Sequence, residues 1–238
     1  DYHIFVHVGE GDTVIQQDSV PRCGQHPTYR WEQGEEVVDR HLLTAPQEAR
    51  LGAYPIRVGM YDFRTKDRLT IYDTKGHEMD SLLLTRVRIG EPKTQMLDIP
   101  KPYKVTLGGK VRFLGYDLPD TELQPGGSVP LTLYWECVDS MGTDYTVFVH
   151  LLGPDGEKHG QRDTFPLNGR LPTSYWVPKE ILSDSHSVNV DGDAPQGVYS
   201  LAIGMYDVRS RKRLPAFNAD GTPLPNDQIV LPTGLHYD

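Results

Sequence analysis

The chain has 238 residues, 37% of them apolar, and its 23 glycines and 19 prolines break it into short runs. That is enough apolar material for two ordinary domains of about 100–150 residues, and it argues against wholesale disorder and against long helices. The net charge of −9 is spread evenly over both halves and repels phosphate backbones, so no nucleic-acid partner is expected; no apolar stretch approaches the roughly 20 residues needed to cross a bilayer, so this segment is not expected to insert into a membrane directly.

In chain order, Asp1-Tyr2-His3-Ile4-Phe5-Val6-His7-Val8 opens almost at once on a strand, as expected of a fragment or a processed product. Tyr29 and Trp31 follow Pro27-Thr28, then comes Val38-Asp39-Arg40-His41, then a long strand-like run at 52–62. Arg64, Lys66 and Arg68 read as a solvated hairpin tip. Residues 91–103, with Pro92, Pro100 and Pro102, have the composition of a linker. Beyond it, alternation predicts strands at 111–118, 131–136, 145–152, 182–190, 198–208 and 228–235. Turns fall at 124–127, 153–156 and 194–197; in the second, Pro154-Asp155-Gly156 presets one turn position and supplies a residue for φ > 0. Arg209, Arg211, Lys212 and Arg213 form a second basic tip.

The two halves match each other block by block. Residues 1–8 match Asp144-Tyr145-Thr146-Val147-Phe148-Val149-His150-Leu151, His26 to Trp31 match Leu171 to Trp176, and Val38-Asp39-Arg40-His41 match Ser183-Asp184-Ser185-His186. Gly52 to Asp62 match Gly197 to Asp207, and Arg68-Leu69 match Arg213-Leu214. The offset is 143 at first and 145 afterwards. The pattern predicts an all-β chain of two tandem immunoglobulin-like or jelly-roll antiparallel β-sandwich modules, 1–90 and 104–238, with almost no helix.

The ordered series Val111-Arg112-Phe113-Leu114-Gly115-Tyr116-Asp117-Leu118, Pro125-Gly126-Gly127, Leu131-Thr132-Leu133-Tyr134-Trp135 and Val147-Phe148-Val149-His150-Leu151 carries a family resemblance. Pro172-Thr173, Trp176, Asp184, residues 194–199 and Gly204-Met205-Tyr206-Asp207 continue it. The series resembles the β-sandwich modules that follow the membrane-spanning part of bacterial mannosyltransferase-like glycosyltransferases of green non-sulfur type. The resemblance covers most of 104–238 and about 1–90. It implies an extracytoplasmic place, at the cell surface or secreted, and carries over no catalytic residue or cofactor.

Catalytic signatures are missing: the chain has no Gly-x-Ser-x-Gly, no His-Glu-x-x-His and no phosphate-binding glycine loop. Residues shared by both halves are first explained by a shared fold. His7 and His41 match His150 and His186, and Asp39 and Asp184 stand two residues before the second histidine of each pair. Asp-x-His shares one strand face and could contribute to a zinc site, but no further ligand repeats, so structural histidines are the expectation and a metal-dependent enzyme only a third alternative. Asn189-x-Asp191-x-Asp193 opens like a calcium loop, but Ala194 and Ser200 stand where that loop needs Gly and Glu. Cys23 and Cys137 fall at non-equivalent places, so a disulfide would have to join the modules. The candidate ligand-binding residues are Tyr29, Trp31, Tyr175 and Trp176, aromatics that could stack on a sugar ring or fill a core.

The reading is therefore a non-catalytic spacer or a module pair for carbohydrate or protein recognition. The alternative is a structural subunit of a surface assembly joined by strand pairing. One asymmetry favours the alternative: residues 111–118 and 131–136 have no counterparts before Asp1, so the first module lacks its opening strands. The expectation is a row of unpaired backbone groups beside residues 2–8, completed by an upstream segment or a neighbouring chain.

Overall fold

The computed structural model describes residues 1–9, 15–119 and 122–237, and the chain divides into two compact units, Asp1–Gly90 and Glu91–Asp238. Strands hold 45% of the residues and no helix reaches seven residues, so the fold is the all-β sandwich type expected from the alternation. Unit 1 carries β1 (Tyr2–Val8), β2 (Ile15–Ser19), β3 (Gly52–Asp62), the small hairpin β4 (Ile71–Tyr72) and β5 (Glu78–Met79), and β6 (Leu82–Ile89). Unit 2 carries β7 (Lys101–Leu107), β8 (Val111–Asp117), β9 (Ser128–Cys137), β10 (Tyr145–Leu152), β11 (Lys158–Thr164) and β12 (Ile181–Asn189). After these come β13 (Gly197–Val198), β14 (Ser200–Asp207), β15 (Ala216–Asn218), β16 (Ile229–Leu231) and β17 (His236–Tyr237).

Unit 2 has two main antiparallel sheets, ordered β12-β9-β8-β7-β15 and β11-β10-β14-β16. Period-two alternation turns one face of each strand inward. In β9, Val129, Leu131, Leu133, Trp135 and Cys137 are buried, and the residues between them are half-buried or exposed. From the other sheet, Val147, Val149, Leu151, Leu201, Ile203 and Met205 are fully buried. Trp135 and Phe113 lie in neighbouring strands with ring centroids 5.0 Å apart.

The proline segment is not a free linker throughout. Unit 2 takes up its end as β7, and Ile181 donates its N–H to the Lys93 carbonyl at 2.7 Å. Pro102 is tolerated inside β7 because it sits at an irregularity opposite Gly115. Gly115 has φ +144°, and a Cβ there would lie 2.4 Å from the Lys101 carbonyl oxygen, so this close approach needs glycine.

Unit 1 has one main sheet, ordered β2-β1-β3-β6. Its registers match those of the second sheet of unit 2: Phe5 pairs with Gly59 as Phe148 pairs with Gly204, and Val58 pairs with Leu82 as Ile203 pairs with Ile229. Among the described residues, unit 1 has no strand corresponding to β7, β8 or β9.

The expected row of unpaired groups beside β1 is not there. Strand β1 pairs with β2 on one edge and β3 on the other. The reason is topological: β7, β8 and β9 belong to the other sheet, so what unit 1 lacks is a facing layer, not a neighbour of β1. The effect shows on the face. Ile4, Ile56, Val58 and Met60 are half-exposed, whereas Val147, Leu201, Ile203 and Met205 at the same places are fully buried. Leu82 is 44% exposed, and its counterpart Ile229 is 0% exposed.

Candidate functional site

The four aromatics singled out from sequence do not form one kind of surface. Each unit folds a Pro-Thr step into a short 3-10 turn, Thr28–Arg30 or Thr173–Tyr175. The threonine hydroxyl fastens the turn to the first paired strand: Tyr2 donates its N–H to Thr28 Oγ1 at 3.0 Å, and Tyr145 to Thr173 Oγ1 at 2.9 Å. The tryptophan closing each turn donates Nε1–H backwards at 3.1 Å, Trp31 to the His26 carbonyl and Trp176 to the Leu171 carbonyl. Their surroundings differ. Trp176 is 3% exposed and belongs to the core, whereas Trp31 is 37% exposed. Tyr29 is 70% exposed, with the Arg30 guanidinium 5.7 Å from its ring centre. Tyr175 is half-buried and aligns with Arg30, not with Tyr29. Only unit 1 therefore presents Tyr29 and Trp31 to water.

A second constellation recurs on the outer face of both sheets. In unit 2, Asp163 on β11 stands 3.5 Å from His150 Nε2 on β10 and accepts the Tyr206 hydroxyl of β14 at 3.1 Å. Beside it, the Arg213 guanidinium lies 4.4 Å over the Phe148 ring. Lys158, Gln161 and Arg211 complete an open depression of about 230 Å³. Burial works to raise the Asp163 carboxyl, but hydrogen bonds from His150 and Tyr206 outweigh it and hold it below its usual value. Burial and then the Asp163 charge push the Tyr206 phenol up. Unit 1 repeats the set: His7 Nε2 lies 3.1 Å from Asp18, burial and then the Asp18 charge push the Tyr61 phenol up, and Arg68 lies 4.6 Å over Phe5.

This set braces three neighbouring strands. The tyrosine is held as a donor with its phenol pushed up, which is the opposite of an activated nucleophile. The histidines stand out in the repeat, whereas their aspartate partners lie outside the matching blocks. Asp18 and Asp163 obey the same offset of 145 and could have been found by extending it across β2 and β11. The basic tips also divide. Asp207 accepts the Arg209 N–H at 2.9 Å and shapes the solvated turn, whereas Arg213 lies over a buried ring.

The Asp-x-His pairs are internal braces too. His186 Nε2 lies 3.0 Å from Asp184, both side chains 0% exposed, and Asp184 also accepts the Leu167 N–H at 2.8 Å. In unit 1, His41 lies 3.0 Å from Asp39, and Asp39 accepts the Arg22 N–H at 2.9 Å. Among the described residues, no group of three or more His, Cys, Asp or Glu is placed to hold a metal ion. Asp191 and Asp193 lie on an exposed turn, where Asp191 donates its N–H to the His159 carbonyl at 2.9 Å. Cys23 is exposed, Cys137 is buried, and both thiols are free.

Unit 1 also has an open concavity of about 550 Å³ between the loop around Arg22–Gln25 and residues 35–40. His26 meets Glu35 there at 2.7 Å; the Glu32 N–H first, and His26 second, hold the Glu35 carboxyl below its usual value. In unit 2 the residue matching Glu35 is tied to the end of β9: Cys137 donates its N–H to the Glu180 carbonyl at 2.9 Å, and Lys179 donates to the Cys137 carbonyl at 2.7 Å. The chain matches no family model and no curated protein.

Proposed function

We propose that the chain is a non-catalytic pair of duplicated β-sandwich modules that works outside the cytoplasm in recognition, with unit 1 as the recognising module and unit 2 as its closed support. The observation that carries this is the exposed Tyr29–Arg30–Trp31 surface, which unit 2 replaces with Ser174, Tyr175 and a buried Trp176. A flat aromatic beside a cation suits the C–H face and hydroxyls of a sugar, so carbohydrate is the ligand class. The recurrence of the His–Asp–Tyr and Asp–His sets in both units supports a structural role for them. The extracytoplasmic location rests on the resemblance to glycosyltransferase-associated modules. Binding of the intact chain to a panel of cell-surface polysaccharides tests the reading. Tyr29→Ala with Trp31→Ala should abolish binding and leave the circular dichroism spectrum unchanged. No binding to any sugar, or equal binding by the double variant, overturns it.

A second reading has its own support. The half-exposed apolar face of unit 1, with Leu82 44% exposed, favours a structural subunit joined to its neighbours by strand pairing.

A further inference from the structure

Residues 36–44 hold in unit 1 the place that β12 holds in unit 2. The ties are the same: Arg22 N–H to Asp39 at 2.9 Å matches Leu167 N–H to Asp184 at 2.8 Å, and each aspartate lies 3.0 Å from the histidine two residues on. Exposure alternates with the phase of β12. Val37, Asp39, His41 and Leu43 are half-covered, and Glu36, Val38, Arg40, Leu42 and Thr44 are exposed. That alternation is the signature of an extended strand.

Strand β12 is paired along its whole length with β9, from Ile181 opposite Glu136 to Asn189 opposite Ser128. Residues 36–44 make no backbone–backbone hydrogen bond among the described residues. In unit 2 the Glu180 carbonyl and the Val190 N–H both bond to the β9 side, so alternate pairs between them do the same. By correspondence, the N–H and C=O groups of Val37, Asp39, His41 and Leu43 point to the side that β9 takes in unit 2, and no described backbone group bonds them. The concavity of about 550 Å³ lies between residues 35–40 and the Arg22–His26 loop, and Ile4, Ile56, Val58, Met60 and Leu82 of the same unit are only partly covered.

Resting on the assembly reading above and naming its partner, we propose that residues 36–44 are a strand-acceptor site. The occupant is an antiparallel β-strand from another polypeptide, with large apolar residues at alternate positions in the manner of β9. Unit 2 shows what fills this place: Val129, Leu131, Leu133 and Trp135 of β9, opposite Val188, His186, Asp184 and Leu182. The same register sets a partner's alternate apolar residues opposite Leu43, His41, Asp39 and Val37. An unpaired extended edge beside an apolar face is a template for strand addition.

The test is hydrogen exchange on the intact chain, alone and with a synthetic peptide of the sequence of residues 128–136. Without peptide, the amides of Val37, Asp39, His41 and Leu43 should exchange freely and those of Leu182, Asp184, His186 and Val188 slowly. With peptide, the amides of Val37, Asp39, His41 and Leu43 should slow by at least about tenfold. A peptide N-methylated at Leu131 and Leu133 keeps its side chains and loses pairing, so it should give no protection. Equal protection by the N-methylated peptide overturns the proposal, because adhesion to an apolar face would then explain binding. Protection of these four amides in the monomeric chain alone overturns both the proposal and the assembly reading. Protection that appears only with chain concentration, alongside a dimer in sedimentation, replaces the heterologous strand with a second copy. No binding by the peptide overturns the proposal and leaves the assembly reading standing.

Discussion

Trp31 and Trp176 stand at the same point of their units and make the same backward hydrogen bond, yet one meets water and the other does not. Trp176→Ala should cost about 3–5 kcal/mol of unit 2 stability, as for other buried large-to-small changes. Trp31→Ala should cost less than about 2 kcal/mol, because part of its ring already faces solvent. Urea unfolding of the two variants measures both. Sequence identified the pair but not the difference: burial is decided by what lies across, and the turn after Trp176 is bonded to the end of β9. Gly204 is a second such position. A Cβ there would stand 2.6 Å from the Phe148 ring, so Gly204→Ala should destabilise by about 1–3 kcal/mol through overpacking. Cys137 adds a pH dependence. Burial first, and then the Glu180 charge, push its thiol up to about 11 from an ordinary 9.0. Between those values the unfolded chain releases the proton and the folded chain keeps it. Stability should therefore fall as pH rises through that window, by at most about 3 kcal/mol. Urea midpoints at about pH 8.5 and about pH 10.5 should differ less in Cys137→Ala than in the parent, since the variant loses this slope.

At the scale of elements, alternation made most of unit 2 legible. The run at 145–152 is β10, residues 182–190 contain β12 within one residue, and 198–208 contain β14. The run at 228–235 was harder, since only Ile229–Leu231 pair and the chain then turns toward β17. Strands β7 and β11 were missed. Lys101–Leu107 carries two prolines at or beside its start, and Lys158–Thr164 is almost wholly polar, so neither shows the apolar alternation that marks a half-buried strand. Residues 36–44 are the instructive case. Their pattern is that of β12, and their local ties are kept, but a strand is defined by a partner and not by its own sequence. This gives a paired prediction. Val188 lies opposite Val129 in β9, so Val188→Pro should remove a ladder donor and cost about 1–3 kcal/mol for the orphaned acceptor alone. Leu43→Pro, at the corresponding place in unit 1, removes an N–H with no backbone partner among the described residues and should change the stability of the isolated chain by under about 1 kcal/mol. Denaturant midpoints of the two variants compare them directly.

At the scale of the whole molecule, apolar burial is lopsided. Four of the buried hydrophobic residues described, Phe5, Val6, Val8 and Ala53, belong to unit 1, and thirty-five belong to unit 2. Apolar area removed from water is the main favourable term in folding, and each fully buried large side chain supplies only about 1.5–3 kcal/mol against the entropy of ordering the chain. Unit 1 spans Asp1–Gly90 and has no sheet facing its main layer among the described residues, so its margin must be the smaller of the two. The chain should therefore unfold in urea in two steps, unit 1 first. The three tryptophans allow the steps to be assigned, because Trp31 is the one in unit 1 while Trp135 and Trp176 report on unit 2. In Trp31→Phe the first step should vanish from fluorescence and persist in circular dichroism. Limited proteolysis should make its first cuts in the unpaired stretch 31–51, at Arg40 or Arg50, and leave residues 91–238 intact. A strand that completes the sheet binds the folded state of unit 1 alone, so the 128–136 peptide should raise the first midpoint and leave the second in place. A single transition, with fluorescence and circular dichroism coincident in the parent and in Trp31→Phe, would mean that unit 1 is as well buried as unit 2 and that its exposed face is already covered.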